Sequence, residues 1–305
     1  MPMTQNQRAE DFARREDVVE IAPTGGAENA EDGQSPRELY LDLMKKCLTR
    51  LLFPEKYSRI MLPKTLPRRI AWRCLQPVLA RFQVDFVQPV PTNTMIRQEG
   101  LDWPLEAETM IGLKRLNNLE ACITDVIRRR IPGDLIETGV WRGGASIFMR
   151  AVLKAYREQD RLVWLADSFQ GLPKPNARKY PADAGDKLWK EALLAVPVEE
   201  VKENFRRYGL LDGQVRFLVG WFRDVLPKAP IERLAVLRLD GDMYESTTDA
   251  LIHLYPKLSL GGYVIIDDYA LPTCRAAVED FRARHGVTEP LQPIDQMAKF
   301  WQRLT

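Results

Sequence analysis

Histidine is nearly missing: His253 and His285 are the only two among 305 residues. A multi-histidine metal site is therefore excluded, and a Ser-His-Asp triad has almost no material. His253 lies in an apolar helical stretch and reads as a packed core residue without a role. Cysteine is sparse as well. Cys47, Cys74, Cys122 and Cys274 are scattered with no C-x-x-C pair, which argues against a disulfide framework or a thiolate zinc site. Reduced thiols in a cytoplasmic protein are the expectation. No apolar run approaches the roughly eighteen residues of a membrane span. None follows the basic residues near the N-terminus either, which argues against secretion. An excess of one charge is also lacking: Lys+Arg of 44 against Asp+Glu of 42 leaves +2, too little to indicate a nucleic-acid partner.

What is present is a globular composition, 45% hydrophobic and 28% charged, enough for one large α/β domain with appendages. Residues 1–35 are polar, bury little and are expected to be a disordered tail. Residues 36–130 read as a helical accessory or cap region. In it, 39–52 has amphipathic helical spacing. A basic helical piece over 66–82, interrupted by Pro77, interleaves Arg68, Arg69, Arg73 and Arg81 with Ile70, Trp72, Leu75, Val78, Leu79 and Phe82. The reading taken is an accessory helix with its apolar stripe on the core and its arginines in solvent; a membrane-surface or partner-binding helix is the alternative. Residues 86–93 read as an extended connector, and 107–119 as a helix running into another that ends at Arg128-Arg129-Arg130.

From 131 to 305, strand and helix signals alternate, which predicts a doubly wound, mainly parallel sheet with right-handed crossovers. Two neighbouring strands in it both end in closely spaced aspartates. Val236-Leu237-Arg238-Leu239-Asp240-Gly241-Asp242 and Gly262-Tyr263-Val264-Ile265-Ile266-Asp267-Asp268 deliver Asp240, Asp267 and Asp268 to one sheet rim. Carboxylates that close repel one another unless a positive charge lies between them, and Mg2+ is the simplest candidate.

Glu137-x-Gly139-x-x-x-Gly143-Gly144 follows a strand and opens a helix. It is looser than the dinucleotide pattern G-x-G-x-x-G, and an acid stands where a pyrophosphate would need amides. A carboxylate there suits a ligand with ammonium and sulfonium groups. Asp167, followed by Ser168 at the end of the next strand, is placed to accept ribose hydroxyls. Together these read as an S-adenosylmethionine site. For Glu137 a cap or rim salt bridge is the other reading. Trp221 and Phe222 either flank an adenine or pack in the core, and the sequence leaves that open.

The chain resembles the macrocin O-methyltransferase family, which includes sugar methyltransferases of macrolide and aminocoumarin pathways. The resemblance rests on Leu39-Tyr40-Leu41-Asp42-Leu43-Met44, Thr109-Met110-Ile111-Gly112-Leu113, Glu137-Thr138-Gly139-Val140-Trp141-Arg142-Gly143-Gly144 and Asp167-Ser168-Phe169-Gln170-Gly171-Leu172-Pro173. It extends to Gly220-Trp221-Phe222, Leu239-Asp240-Gly241-Asp242-Met243-Tyr244-Glu245-Ser246-Thr247 and Ile266-Asp267-Asp268-Tyr269. It implies a class I S-adenosylmethionine fold, Mg2+ dependence and a homodimer. It further implies that Asp240 is a metal ligand and base, that Asp267 and Asp268 complete the metal site, that Glu137 and Asp167 hold the donor, and that the Thr109-Met110 segment caps it. Two departures stand out. Residues 66–82 look like an insertion, and the loop 174–196 has no histidine, so proton acceptance falls to Asp240 or Asp242.

The expected function is thus Mg2+-dependent O-methylation of a hydroxyl on a glycosylated small molecule. Glu245 reads as a helix-start residue with Ser246 and Thr247 as caps. Two rivals remain: a glycosyltransferase using Asp240-Gly241-Asp242 as a D-x-D motif, and a non-catalytic S-adenosylmethionine-binding scaffold.

Overall fold

The computed structural model describes residues 34–59, 66–82, 87–89 and 94–305; the expected disordered tail falls almost wholly outside them. In chain order the elements are α1 (Pro36–Leu48), β1 (Tyr57–Arg59), α2 (Leu66–Arg81), β2 (Val87–Pro89), α3 (Thr94–Glu99), α4 (Leu113–Arg128), β3 (Asp134–Thr138), α5 (Gly144–Ala155), β4 (Val163–Asp167) and α6 (Val198–Arg207). Then come β5 (Val215–Val219), α7 (Phe222–Val225), β6 (Leu234–Leu239), α8 (Tyr244–Leu254), β7 (Leu258–Ile266), α9 (Pro272–His285), β8 (Gln292–Pro293) and β9 (Lys299–Gln302).

Seven strands form the main sheet in the order β5-β4-β3-β6-β7-β9-β8. The first five are parallel, while β9 runs antiparallel to β7 and β8 antiparallel to β9. The expected doubly wound α/β class is what forms. Side chains along each strand alternate between two cores. Leu135, Val163 and Leu165 join Leu116, Ile123, Ile147 and Phe205 on one face. Ile136, Trp164 and Leu237 join Leu251, Val278 and Phe281 on the other. A strand buried on both faces must be apolar throughout, which is why these runs lack polar alternation.

Chain direction across the sheet reverses between β3 and β6, and a ligand crevice opens at such a switch point, outside the strands' carboxyl ends. The ladder continues one residue past the strands, with Asp240 N donating to Thr138 O at 2.8 Å and Asp267 N to Leu239 O at 2.9 Å. Gly139, Asp240 and Asp267 therefore stand level on one rim.

Several expectations need correction. Helix α4 begins at Leu113, with Gly112 as an extended N-cap; residues 107–112 are irregular because their backbone is engaged elsewhere, Glu108 N with Leu48 O and Gly144 N with Glu108 O. Pro77 does not interrupt α2. Nor does α2 bury most of its apolar stripe: Ile70 is 58% exposed, Leu75 and Val78 are exposed, as is Phe82 just beyond the helix at 70%, and Trp72 and Leu79 are half-buried. Within the expected connector, Val87–Pro89 pairs antiparallel with β1. His253 is half-buried, since the apolar stripe of α8 runs through Ala250, Leu251 and Leu254. Among the described residues, no helix is long and apolar enough to cross a membrane.

Candidate active site

Asp240, Asp267 and Asp268 converge: one carboxylate oxygen from each lies within 4.8 Å of the others. Arg238, one residue before the tip of β6, is buried among them. Its Nη1 lies 2.5 Å from Glu137 Oε1 and 2.9 Å from Asp240 Oδ2, and its Nη2 lies 2.5 Å from Asp267 Oδ1. The other oxygen of Asp267 meets Arg115 Nη1 at 2.6 Å, and Arg115 Nε reaches Asp295 Oδ2 at 2.7 Å. Glu137 Oε2 accepts a hydrogen bond from the Ser146 hydroxyl. The result is a buried chain of alternating charge, Asp295–Arg115–Asp267–Arg238–Glu137, crossing α4, β7, β6 and β3.

The electrostatics follow from burial and neighbours. Asp267 would be raised by burial, but Arg115 and Arg238 outweigh that and hold its carboxyl below the usual range. Asp240 is pushed up to about 6 by burial and by Asp267, against the pull of Arg238. Burial, then Asp242 and Asp240, push Asp268 well above its ordinary value. Burial raises Glu137 to about 7, opposed by Arg238 and Ser146. Five carboxyl groups (Glu137, Asp240, Asp267, Asp268, Asp295) face two guanidiniums, so the acids outnumber the cations and burial and mutual repulsion keep protons on some of them. Oxygen donors in excess of their counter-charges are a donor set that fits a hard divalent cation.

The glycine turn lies directly against these acids. Gly139 has φ +83°, and a Cβ there would collide with the carbonyl of Asp240. Gly143, at φ +88°, is the N-cap of α5. A Cβ on Gly144 would strike Glu108 O at 2.5 Å and Thr109 Cβ at 2.6 Å, so the segment carrying Thr109 and Met110 lies across the turn. Asp167 joins the two: its oxygens accept from Val140 N and Phe169 N, each at 2.7 Å. Ser168 donates to Gly171 O and accepts from Gln170 N, shaping the loop that leaves β4. Glu137, Gly139, Gly143, Asp167, Ser168, Thr109 and Met110 thus share one neighbourhood, but both oxygens of Glu137 are engaged by protein partners. Phe222 packs on the second core with its ring edge 3.4 Å from where a Gly241 Cβ would stand, and Trp221 caps α7 beside it. Asp242 holds φ +57°, with its N–H 3.1 Å from Asp268 Oδ2 and its carbonyl accepting from Thr273.

Three residues of the site had no assigned role in the sequence reading. A charge inside the apolar run of β6 needs a buried partner, a signal that points to Arg238. Arg115 lies on the buried stripe of α4 with Leu119, Cys122 and Val126, which is a similar cue. Asp183 gave none. It comes from the loop 174–196 and caps α8, accepting from Tyr244 N at 2.7 Å and Glu245 N at 3.0 Å. Met243, the N-cap residue, makes no side-chain bond, so the capping expected of Ser246 and Thr247 is supplied from a distant loop.

Residues 37–303 match the family of macrocin-O-methyltransferases (TylF). The chain is 50% identical over 270 residues to the 8-demethyl-8-(2,3-dimethoxy-alpha-L-rhamnosyl)-tetracenomycin-C 4'-O-methyltransferase of Streptomyces olivaceus, covering 88% of this chain and 94% of that protein. It is 47% identical over 279 residues to the demethyldecarbamoylnovobiocin O-methyltransferase of Streptomyces niveus, covering 90% and 97%. Among solved structures it superposes on the O-methyltransferase NovP with a TM-score of 0.75 at 46% identity, over 88% of this chain and all of that one. These likenesses set aside the glycosyltransferase reading of Asp240-Gly241-Asp242. With the match running from the first described helix to the last strand, the chain belongs to the macrocin O-methyltransferase family and is an O-methyltransferase.

Proposed function

We propose that this enzyme transfers a methyl group from S-adenosylmethionine to a sugar hydroxyl of a glycosylated natural product, with Mg2+ held by Asp240, Asp267 and Asp268. The observation that carries the reading is the convergence of these three carboxylates directly beside the glycine turn at Gly139. The rhamnosyl acceptor in the name of the Streptomyces olivaceus relative supports the acceptor class.

The donor supplies a methyl group on a sulfonium leaving group, and the cation supplies Lewis acidity toward an acceptor hydroxyl. The protein does the rest. Gly139 and Gly143 let the backbone approach the donor, Asp167 and Ser168 fix the loop that faces its ribose, and Thr109 and Met110 close over it. Glu137 sets the negative field at its cationic end, and Trp221 and Phe222 line the far wall. As the O–C bond forms and the S–C bond breaks, the hydroxyl proton passes to Asp240 or Asp242. Both are acidic side chains at the tip of β6, within the same carboxylate cluster as Asp268. Residues 36–130 act as a cap on 131–305 in this reading. The exposed apolar residues of α2 support a homodimer, which light scattering would test.

The direct test is methyl transfer to the rhamnosylated tetracenomycin acceptor, with and without EDTA. The expected result is product formation that chelation abolishes and Mg2+ restores, while Asp240→Asn binds donor without turnover. Undiminished activity in EDTA would sink the cation role.

A further inference from the structure

We infer that Arg238 is a positioning residue that makes methyl donor and divalent cation antagonists in binding, because one guanidinium is counter-ion to the acids of both sites. The inference rests on the function proposed above and concerns how its two sites communicate. Arg238 is 2% exposed, so water cannot replace it. A single nitrogen, Nη1, is divided between Glu137 on the donor side and Asp240 on the cation side, while Nη2 holds Asp267. A guanidinium does not give up its proton, so its charge can be redistributed among these acids but never removed.

A cation on Asp240 and Asp267 takes over the neutralisation that Arg238 provides there. The guanidinium is then free to satisfy Glu137 fully, and Glu137 attracts a cationic ligand less. The reverse holds when a cationic donor lies in the field of Glu137, whose oxygens stay on Arg238 and Ser146, since binding coupling is reciprocal. Lysine cannot reproduce the arrangement, because its ammonium is a compact point charge on a flexible stem, whereas the planar guanidinium reaches Glu137 and Asp240 from Nη1 and Asp267 from Nη2 at once.

The test uses metal-stripped full chain and S-adenosylhomocysteine, which keeps the ammonium but lacks the sulfonium charge, so direct repulsion from the sulfonium is removed. Calorimetric titration with and without saturating MgCl2 should show the cation weakening the ligand at least about fivefold, and Mn2+ affinity by electron paramagnetic resonance should fall by the same factor when the ligand is bound. In Arg238→Lys the coupling should shrink to less than about twofold. Raising the KCl concentration should leave it in place, since buried charges are screened little. Equal affinities with and without the cation in the wild type, or tighter binding with it, overturn the inference even if the variant does not fold, and so does full coupling in Arg238→Lys. Absence of any ligand binding instead overturns the proposed function.

Discussion

Arg115 and Arg238 grip opposite oxygens of one carboxylate: Arg115 Nη1 is 2.6 Å from Asp267 Oδ2, and Arg238 Nη2 is 2.5 Å from Asp267 Oδ1. Asp267 is therefore kept ionised and held at both oxygens, whereas Asp240 is raised by burial and by Asp267, and Asp268 by burial, Asp242 and Asp240.

Removing one jaw of this grip leaves buried charge without a partner. Arg115→Met should destabilise the fold by about 3–5 kcal/mol, because Asp267 and Asp295 both lose a buried partner. Urea unfolding followed by circular dichroism measures this, and a loss smaller than that of an exposed ion pair would show the chain of charge to be slack.

Gly139→Ala should be among the most damaging small substitutions. The backbone at φ +83° disfavours any Cβ by roughly 1–2 kcal/mol, and this Cβ would also displace the Asp240 carbonyl. The expected outcome is a lowered melting temperature together with weakened Mn2+ binding. A variant with unchanged Mn2+ affinity would contradict the contact.

Asp183→Ala uncaps α8 and frees the loop 174–196. A lost cap is worth about 0.5–2 kcal/mol, and Asp183→Asn, which keeps one acceptor oxygen, should recover part of it. Limited proteolysis should find new cleavage within 174–196 in the alanine variant. Cleavage elsewhere only would count against the latch.

Asp249 is pushed up to about 6 by burial and by its neighbour Glu245, from an ordinary value of 3.8. Between those values the folded chain keeps a proton that the unfolded chain has lost, so this residue lowers stability as pH rises from about 4 to 6 and adds no further change above that. Asp249→Asn should remove that decline and leave the protein more stable than wild type at neutral pH. Melting temperatures across this range provide the check, and parallel curves for the two proteins would refute it.

The sheet was legible because parallel strands buried on both faces leave unmistakable apolar runs, and Asp240, Asp267 and Asp268 were legible because they end such runs. The glycine turn was legible from its spacing. The start of α4 was misplaced because residues 107–112 read as helical on local pattern, whereas their amides and carbonyls are taken by Leu48 and Gly144. The apolar residues of α2 follow the spacing of a core-facing helix, and no local pattern can say that the core is not there to receive them.

The sequence by itself determined the fold class and which acids reach the rim, since both follow from periodicity and strand ends, properties of neighbours in the chain. Only the tertiary structure decided how those acids are neutralised. Arg115 meets Asp267 across 152 residues, Arg238 meets Glu137 across 101, and Asp183 reaches α8 across 61. Charge pairing acts through distance in space, and in the interior, where water does not screen it, the sheet order that brings β3, β6 and β7 together selects the partners.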